Sequence, residues 1–236
     1  MKTLFSLLSI LFISSLSSNS TDSAAPERET TSEWTVLFDG SGTDHWRVYN
    51  EDHFPSEVWK VEEDALVMRK NSSHSGSFDL ITREKYSNFE FELEWMISEG
   101  GNSGIFHHVV EQPGRAIYWS GIEMQIIDSD GFGRDRLSDL QHSGALYDMR
   151  AANPQNEKPQ GEWNHTKIIS DGPKIEYWQN GEKIVEFERW NAEWYEMVRN
   201  SKFECQPSFG NAPEGHIGLQ DHGDMVKFRN IRIREI

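Results

Sequence analysis

An all-β fold, an antiparallel sandwich of two sheets with one short helix, is what this sequence predicts. Three observations carry that reading. Residues 89–97, FEFELEWMI, alternate Phe89, Phe91, Leu93, Trp95 and Ile97 with Glu90, Glu92, Glu94 and Met96, the period of a strand with one buried face. Asn180-Gly181 separates two further alternating runs, KIEYWQ and EKIVEFE, and this dipeptide is the strongest short-range signal of a hairpin. The rest is a succession of short apolar runs punctuated by turn residues, with a single segment of helical spacing.

Taken in order, the chain opens with Lys2, an apolar run from Leu4 to Leu16 and a small-polar stretch, the three regions of a secretory signal. The run is too short to span a bilayer comfortably. We therefore expect a signal peptide and the start of a polar leader over 1–25, a flexible leader over 26–33 and one sandwich domain over 34–236, exported to the periplasm or the extracellular space. Val36 to Phe38 predicts a strand closed by the Asp39-Gly40 turn, and VWKVEEDALVMR predicts a hairpin turning at Glu62 to Asp64. Asn71 to Ser77 reads as a loop. After the glutamate-rich strand, EGGNSG reads as a glycine-rich turn that lets backbone approach something closely.

GIFHHVVE is the next strand, and on a regular strand His107 and His108 point to opposite faces. GIEMQIIDSDG follows, with Ile122, Met124 and Ile126 on one side and Glu123 and Gln125 on the other. The carboxylate and the amide stand roughly 6.5 to 7 Å apart along such a strand, able to read a polyhydroxylated ligand or handle a proton. Residues 129–161 lack periodicity, and loops of that length are usually functional or disordered; we read this one as functional. His142, Tyr147 and Asp148 lie in this one. WNHTKIIS is a further strand, whose phase groups Trp163, His165 and Lys167. The helix falls over Trp190 to Asn200, with Asn191 as its cap. Val226 and Phe228 keep one phase and Ile231 and Ile233 the other, which predicts a bulge at Arg229-Asn230.

Composition limits function. A net charge of −16, from 39 acids against 23 bases, argues against a nucleic-acid partner. A single cysteine, Cys205, leaves neither an intrachain disulfide nor a cysteine zinc cluster. Nine tryptophans suit stacking on sugar faces, or equally a core of large rings. Ordinary glycoside hydrolysis needs two carboxyl groups across the scissile bond, and here an amide, Gln125, stands where the second acid would be. There is no G-x-S-x-G elbow for a serine nucleophile. Glu123, His142, Asp221 and His222 leave a divalent metal possible without a spacing that favours one, and no cofactor is required. One carboxylate with histidines, a tyrosine and a lysine suits general acid and base work. A non-catalytic, lectin-like carbohydrate-binding module fits the same inventory.

The blocks LFDGSGTDHWR, FELEWMISEGGNSGIFHHV, GIEMQIIDSDG, HSGALYD, KPQGEWNHTKII, EYWQNGEKIVEFE and GHIGLQDHGDMVKFRNIRIREI, in this order, resemble the 3-keto-disaccharide hydrolase family. The resemblance runs from about Trp34 to Ile236 and implies a concanavalin A-like two-sheet jelly roll. It also implies a 3-keto-glycoside substrate, made by a partner oxidoreductase, and elimination followed by hydration. On that resemblance His142 becomes the expected base or acid, Tyr147 lies near the leaving oxygen, Glu123 shares proton duty or orients His142, and Lys167 stabilises the enolate. Gln125, Asn102, Trp163, Asp221, His222 and His108 become the expected sugar-binding set.

Overall fold

In the computed structural model, residues 32–69 and 77–236 are described; the expected signal peptide, most of the leader and nearly all of the 71–77 loop lie outside them. In chain order the strands are β1 (Thr35–Phe38), β2 (Trp46–Val48), β3 (Trp59–Glu62), β4 (Ala65–Met68), β5 (Leu80–Thr82), β6 (Phe89–Ile97), β7 (Asn102–Val109), β8 (Ile122–Ile127), β9 (Asn164–Asp171), β10 (Lys174–Gln179), β11 (Glu182–Glu188), β12 (His216–Leu219) and β13 (Val226–Glu235). They form two antiparallel sheets. The larger runs β11-β10-β9-β6-β13-β4-β3, with β1 also paired to β13, and the smaller runs β2-β5-β12-β7-β8. The core lies between them: Phe89, Phe91, Leu93 and Trp95 of β6 face Ile105 of β7 and Ile122, Met124 and Ile126 of β8 in one buried cluster.

Local signals act where the sequence places them. Asn180 takes φ +51 and Gly181 φ +88 in the β10–β11 turn, and Glu63 takes φ +56 between β3 and β4. The β13 register slips between Arg229 and Arg232, with Asn230 at φ +51. The helix α2 (Ala192–Arg199) is capped by Asn191, whose Oδ1 accepts the Trp194 N–H at 2.8 Å. A one-turn helix, α1 (Ser129–Phe132), also forms inside the stretch that has no sequence periodicity.

On the outer face of the larger sheet, Glu90, Glu92 and Glu94 pair with Arg234, Arg232 and Arg229 of the neighbouring strand. The tryptophans are also structural. Trp46, Trp59, Trp95 and Trp194 are fully buried, and the first three donate their indole N–H to Leu37 O, Phe78 O and Thr166 Oγ1. The other five, Trp34, Trp119, Trp163, Trp178 and Trp190, each lie beneath an Arg or Lys cation.

Two expectations need correction. Asn102, Ser103 and Gly104 are strand, not turn, so the turn before β7 is shorter than its glycine content suggests. His108 takes φ +54, and the β7–β12 register slips at this point. The bulge turns His108 inward, and both histidines are fully buried with their Nδ1 atoms 2.7 Å apart. His107 Nε2 also lies 2.7 Å from the Tyr177 hydroxyl. Gly215 makes the bulge possible, because a Cβ there would stand 2.4 Å from the His108 carbonyl carbon.

Candidate active site

The outer face of the smaller sheet carries the chemistry. Its inner face belongs to the core, so alternation sends Gly104 and Phe106 of β7, Glu123 and Gln125 of β8 and Gly218 of β12 outward. Gly104 faces Gln125 and Phe106 faces Glu123 across the β7–β8 pair. Loops cover this face, and Glu123 and Gln125 are only 4% and 2% exposed.

Gly104 is what lets Glu123 lie flat on the sheet. A Cβ there would stand 2.7 Å from Glu123 Oε1, so only the bare glycine leaves room for the carboxylate. Its backbone would accept another residue, since its φ is not in the left-handed region. Gly104→Ala should therefore leave the melting temperature within a few degrees while displacing the carboxylate. A displacement near 1 Å costs on the order of 100-fold in rate, and a turnover assay beside a thermal melt measures both.

Burial pushes Glu123 up to about 7; the Lys202 charge and a Gln220 side-chain hydrogen bond pull it back down, and the Asp79 charge adds to the rise. Asp79 is also driven to about 7 by burial, against hydrogen bonds from the Ser77 hydroxyl and the Asp221 N–H. Asp221 in turn accepts the Phe78 N–H at 3.0 Å, which clamps the ends of β5 and β12 together. His222 is exposed beside them, its Nε2 3.4 Å from Asn102 Nδ2. Asn102 Oδ1 and Gln220 Oε1 are buried acceptors without a hydrogen-bond partner, and a sugar hydroxyl would satisfy them.

Much of the 129–161 stretch is ordered by β8. Gly144 N–H donates to Gln125 O, Gln125 N–H to Ala145 O and Tyr147 N–H to Glu123 O, at 2.8, 3.0 and 3.0 Å. Residues 144–147 thus extend the smaller sheet beyond β8, which fixes half-buried Tyr147 next to Glu123. Burial raises the Tyr147 hydroxyl pKa, and the Glu123 charge raises it further. His142 is buried just before this edge, with Nδ1 lacking a partner. Exposed Tyr118 and Lys202 stand at the rim, with Lys202 Nζ over the Tyr147 ring at 3.9 Å.

The structure thus gathers Glu123, Gln125, Tyr147, Asn102 and Asp221 at the smaller sheet, with His142 beside β8 and His222 at the rim. It leaves three expected site residues elsewhere. Lys167 is on β9 in the larger sheet, 3.6 Å from Glu90 and over Trp178. Trp163 lies under Arg229 on that same outer face, and His108 is in the core. Period-2 phase tells which side of a sheet a residue occupies, but not which sheet. Gly104, Gln220, Asp79, Tyr118 and Lys202 had no sequence signal of their own, apart from the glycine-rich EGGNSG. Among the described residues no three His, Cys, Asp or Glu side chains gather in metal-binding geometry, so the four possible ligands do not converge.

Comparison with known proteins bears on the fold and the family. A curated relative from Bacteroides thetaiotaomicron, a 3-keto-disaccharide hydrolase, is 36% identical over 228 residues, covering 85% of this chain and 78% of its own. A crystal structure from Parabacteroides distasonis, provisionally assigned as a glycosyl hydrolase, is 31% identical with a TM-score of 0.79, covering 86% of this chain and 94% of its own. The laminarinase of Rhodothermus marinus shares the jelly-roll fold, at 12% identity and a TM-score of 0.53 over 87% of this chain and 98% of its own. Matching the profile of the 3-keto-alpha-glucoside-1,2-lyase-like domain over residues 33–234, this chain belongs to that family.

Proposed function

We propose that this protein cleaves the glycosidic bond of a 3-keto-glycoside by elimination at C1–C2, followed by addition of water. The observation that carries the reading is Glu123, a carboxyl pushed to about 7 by burial and laid over Gly104. A base of that strength is poised for proton transfer near neutrality. A ketone at C3 acidifies the C2 proton; Glu123 takes it, the electron pair forms the enolate, and collapse of the enolate expels the C1 oxygen. Tyr147, its hydroxyl pKa raised, protonates the leaving oxygen, and His142, beside the same edge of β8, serves water addition. Elimination alone is lyase chemistry and elimination with hydration is net hydrolysis, which reconciles the family's name with that of its Bacteroides relative.

Gln125, Asn102 and Gln220 hold sugar hydroxyls. Tyr147, next to Glu123, and Tyr118 at the rim are the rings placed to stack on the sugar. The ketone implies an oxidoreductase acting earlier on the C3 hydroxyl. The signal-like residues 1–25 support a reaction outside the cytoplasm. Among the described residues no helix is long and apolar enough to cross a membrane.

A 3-keto-glucoside and its unoxidised parent, each incubated with the protein with and without chelator, test the reading. Release of the aglycone from the ketone alone is expected. Cleavage of the parent at a similar rate would reject it, and tight binding of either sugar without turnover would favour a binding module. Loss of activity on chelation would add a metal.

A further inference from the structure

We infer that Lys202 is the cation that holds the C3 oxygen as it becomes an enolate oxygen, a role that rests on the elimination reading above. In the step that breaks the C2–H bond, the negative charge leaves the Glu123 carboxylate with the incoming proton and reappears on the C3 oxygen. A site that balances this charge at both stages needs a fixed cation facing both the base and the ketone. Such a cation gains strength as the transition state forms, which is the condition for accelerating the step.

Lys202 meets that requirement. Of the charged groups, it is the one that acts most strongly on Glu123. Its ammonium sits 3.9 Å from the centroid of Tyr147, 5.1 Å from Phe203 and 5.5 Å from Tyr118, and no carboxylate among the described residues lies within ion-pairing distance. Three rings therefore hold the charge without neutralising it. Although the side chain is exposed, desolvation against these rings lowers its pKa, with Glu123 and Asp148 opposing the change.

The base of this lysine is rigid, unlike that of an ordinary surface lysine. Its backbone N–H donates to Asp148 Oδ2 at 2.8 Å, which ties it to the segment that carries Tyr147. The adjacent Phe203 stacks on Phe209 at 4.0 Å, Phe209 on Trp194 at 5.9 Å and Trp194 on Phe187 at 5.6 Å, so the loop is anchored through α2 to β11. Gly210 leaves room for this stack, since a Cβ there would meet Trp194 at 2.4 Å. Precise placement of a charge is what electrostatic catalysis needs. Lys167, with its Glu90 partner on the other sheet, lacks such a setting.

The test compares wild type with Lys202→Met and Lys202→Arg on an aryl 3-keto-glucoside carrying hydrogen or deuterium at C2. Methionine fits among rings, so folding is expected to be intact by thermal melt. Removing a group that stabilises an oxyanion costs about 100- to 1,000-fold in kcat, and Lys202→Met should show that loss with KM changed by less than about fivefold. Its C2 isotope effect should exceed that of wild type, and Lys202→Arg should recover part of the rate. Retention of kcat within threefold in Lys202→Met would overturn the assignment. Covalent trapping of Lys202 to the substrate by borohydride would replace it with an imine. A wild-type protein without turnover of the ketone would sink the elimination reading itself, and the role of Lys202 with it.

Discussion

Replacing Glu123 with Gln is expected to reduce turnover of a 3-keto-glycoside by about 1,000-fold or more, the upper part of the range for general base catalysis, while making the folded protein more stable at alkaline pH. Both effects have one cause. The folded-state pKa of Glu123 is about 7 against an ordinary value of 4.5, raised chiefly by burial. Below pH 4.5 the group is protonated whether the chain is folded or unfolded, and it costs nothing. Above pH 7 it is ionised in both states, and the folded state carries the full cost of a buried charge, about 3 kcal/mol at 1.36 kcal/mol per pH unit. Glutamine keeps the shape and sheds that cost. Urea unfolding of both proteins at pH 4.5 and pH 8.5 should therefore show Glu123→Gln ahead by roughly 3 kcal/mol at the higher pH only. In the wild type, kcat/KM should fall about tenfold per pH unit below pH 7 as the base takes up its proton. Equal stability at pH 8.5, or a variant with wild-type turnover, would remove Glu123 from its role.

The reach of the sequence is clearest in what lies close along the chain. The alternation of β6, the Asn180-Gly181 turn, the Asn191 cap and the Arg229-Asn230 bulge depend on a few consecutive residues, and each forms where the pattern places it. Glu123 and Gln125 were legible for the same reason, because their outward direction follows from the apolar neighbours of β8. Lys202 was not. Beyond its chain neighbour Phe203, its surroundings come from Tyr118, Glu123 and Tyr147, side chains that only the closed sandwich brings to it. The His108 bulge was hidden as well, since the residue that permits it, Gly215, is far away along the chain, just before β12. Lys167 illustrates the remaining gap: its outward phase is as expected, but its strand belongs to the larger sheet. A site assembled across strands leaves little periodic trace.

The pH dependence of stability depends on two buried sets that oppose each other. His107 and His108 are held neutral, their pKa values well below 6.5, first because of burial; the Arg189 charge lowers both further, and each packs against Phe89. Their folded pKa is depressed, so below pH 6.5 the unfolded chain binds two protons that the folded chain refuses, and stability should fall by about 2.7 kcal/mol per pH unit. Glu123 and Asp79 have the opposite sign. Their folded values near 7 lie above the ordinary 4.5 and 3.8, so between pH 7 and 4.5 the folded chain binds two protons that the unfolded chain does not. The two differences cancel. His216, also lowered by burial, adds at most one further proton on the unfolded side, and Glu111, kept low by its Arg47 hydrogen bond, titrates beneath this window. The wild-type protein should therefore lose no more than about 1.4 kcal/mol per pH unit between pH 6 and 5. In the Asp79→Asn/Glu123→Gln double variant the compensating protons are gone, and the loss should reach about 3 to 4 kcal/mol per unit, read from urea midpoints at half-unit steps. The substitution at 79 is mild, because an amide oxygen can still accept the Asp221 N–H and its NH₂ can donate to the Ser77 hydroxyl. A double variant with the same shallow slope as the wild type would mean that His107 and His108 take up protons without unfolding, and that the contacts of His107 with the Tyr177 hydroxyl and of His108 Nε2 with Ser170 Oγ, 3.4 Å away, tolerate charge.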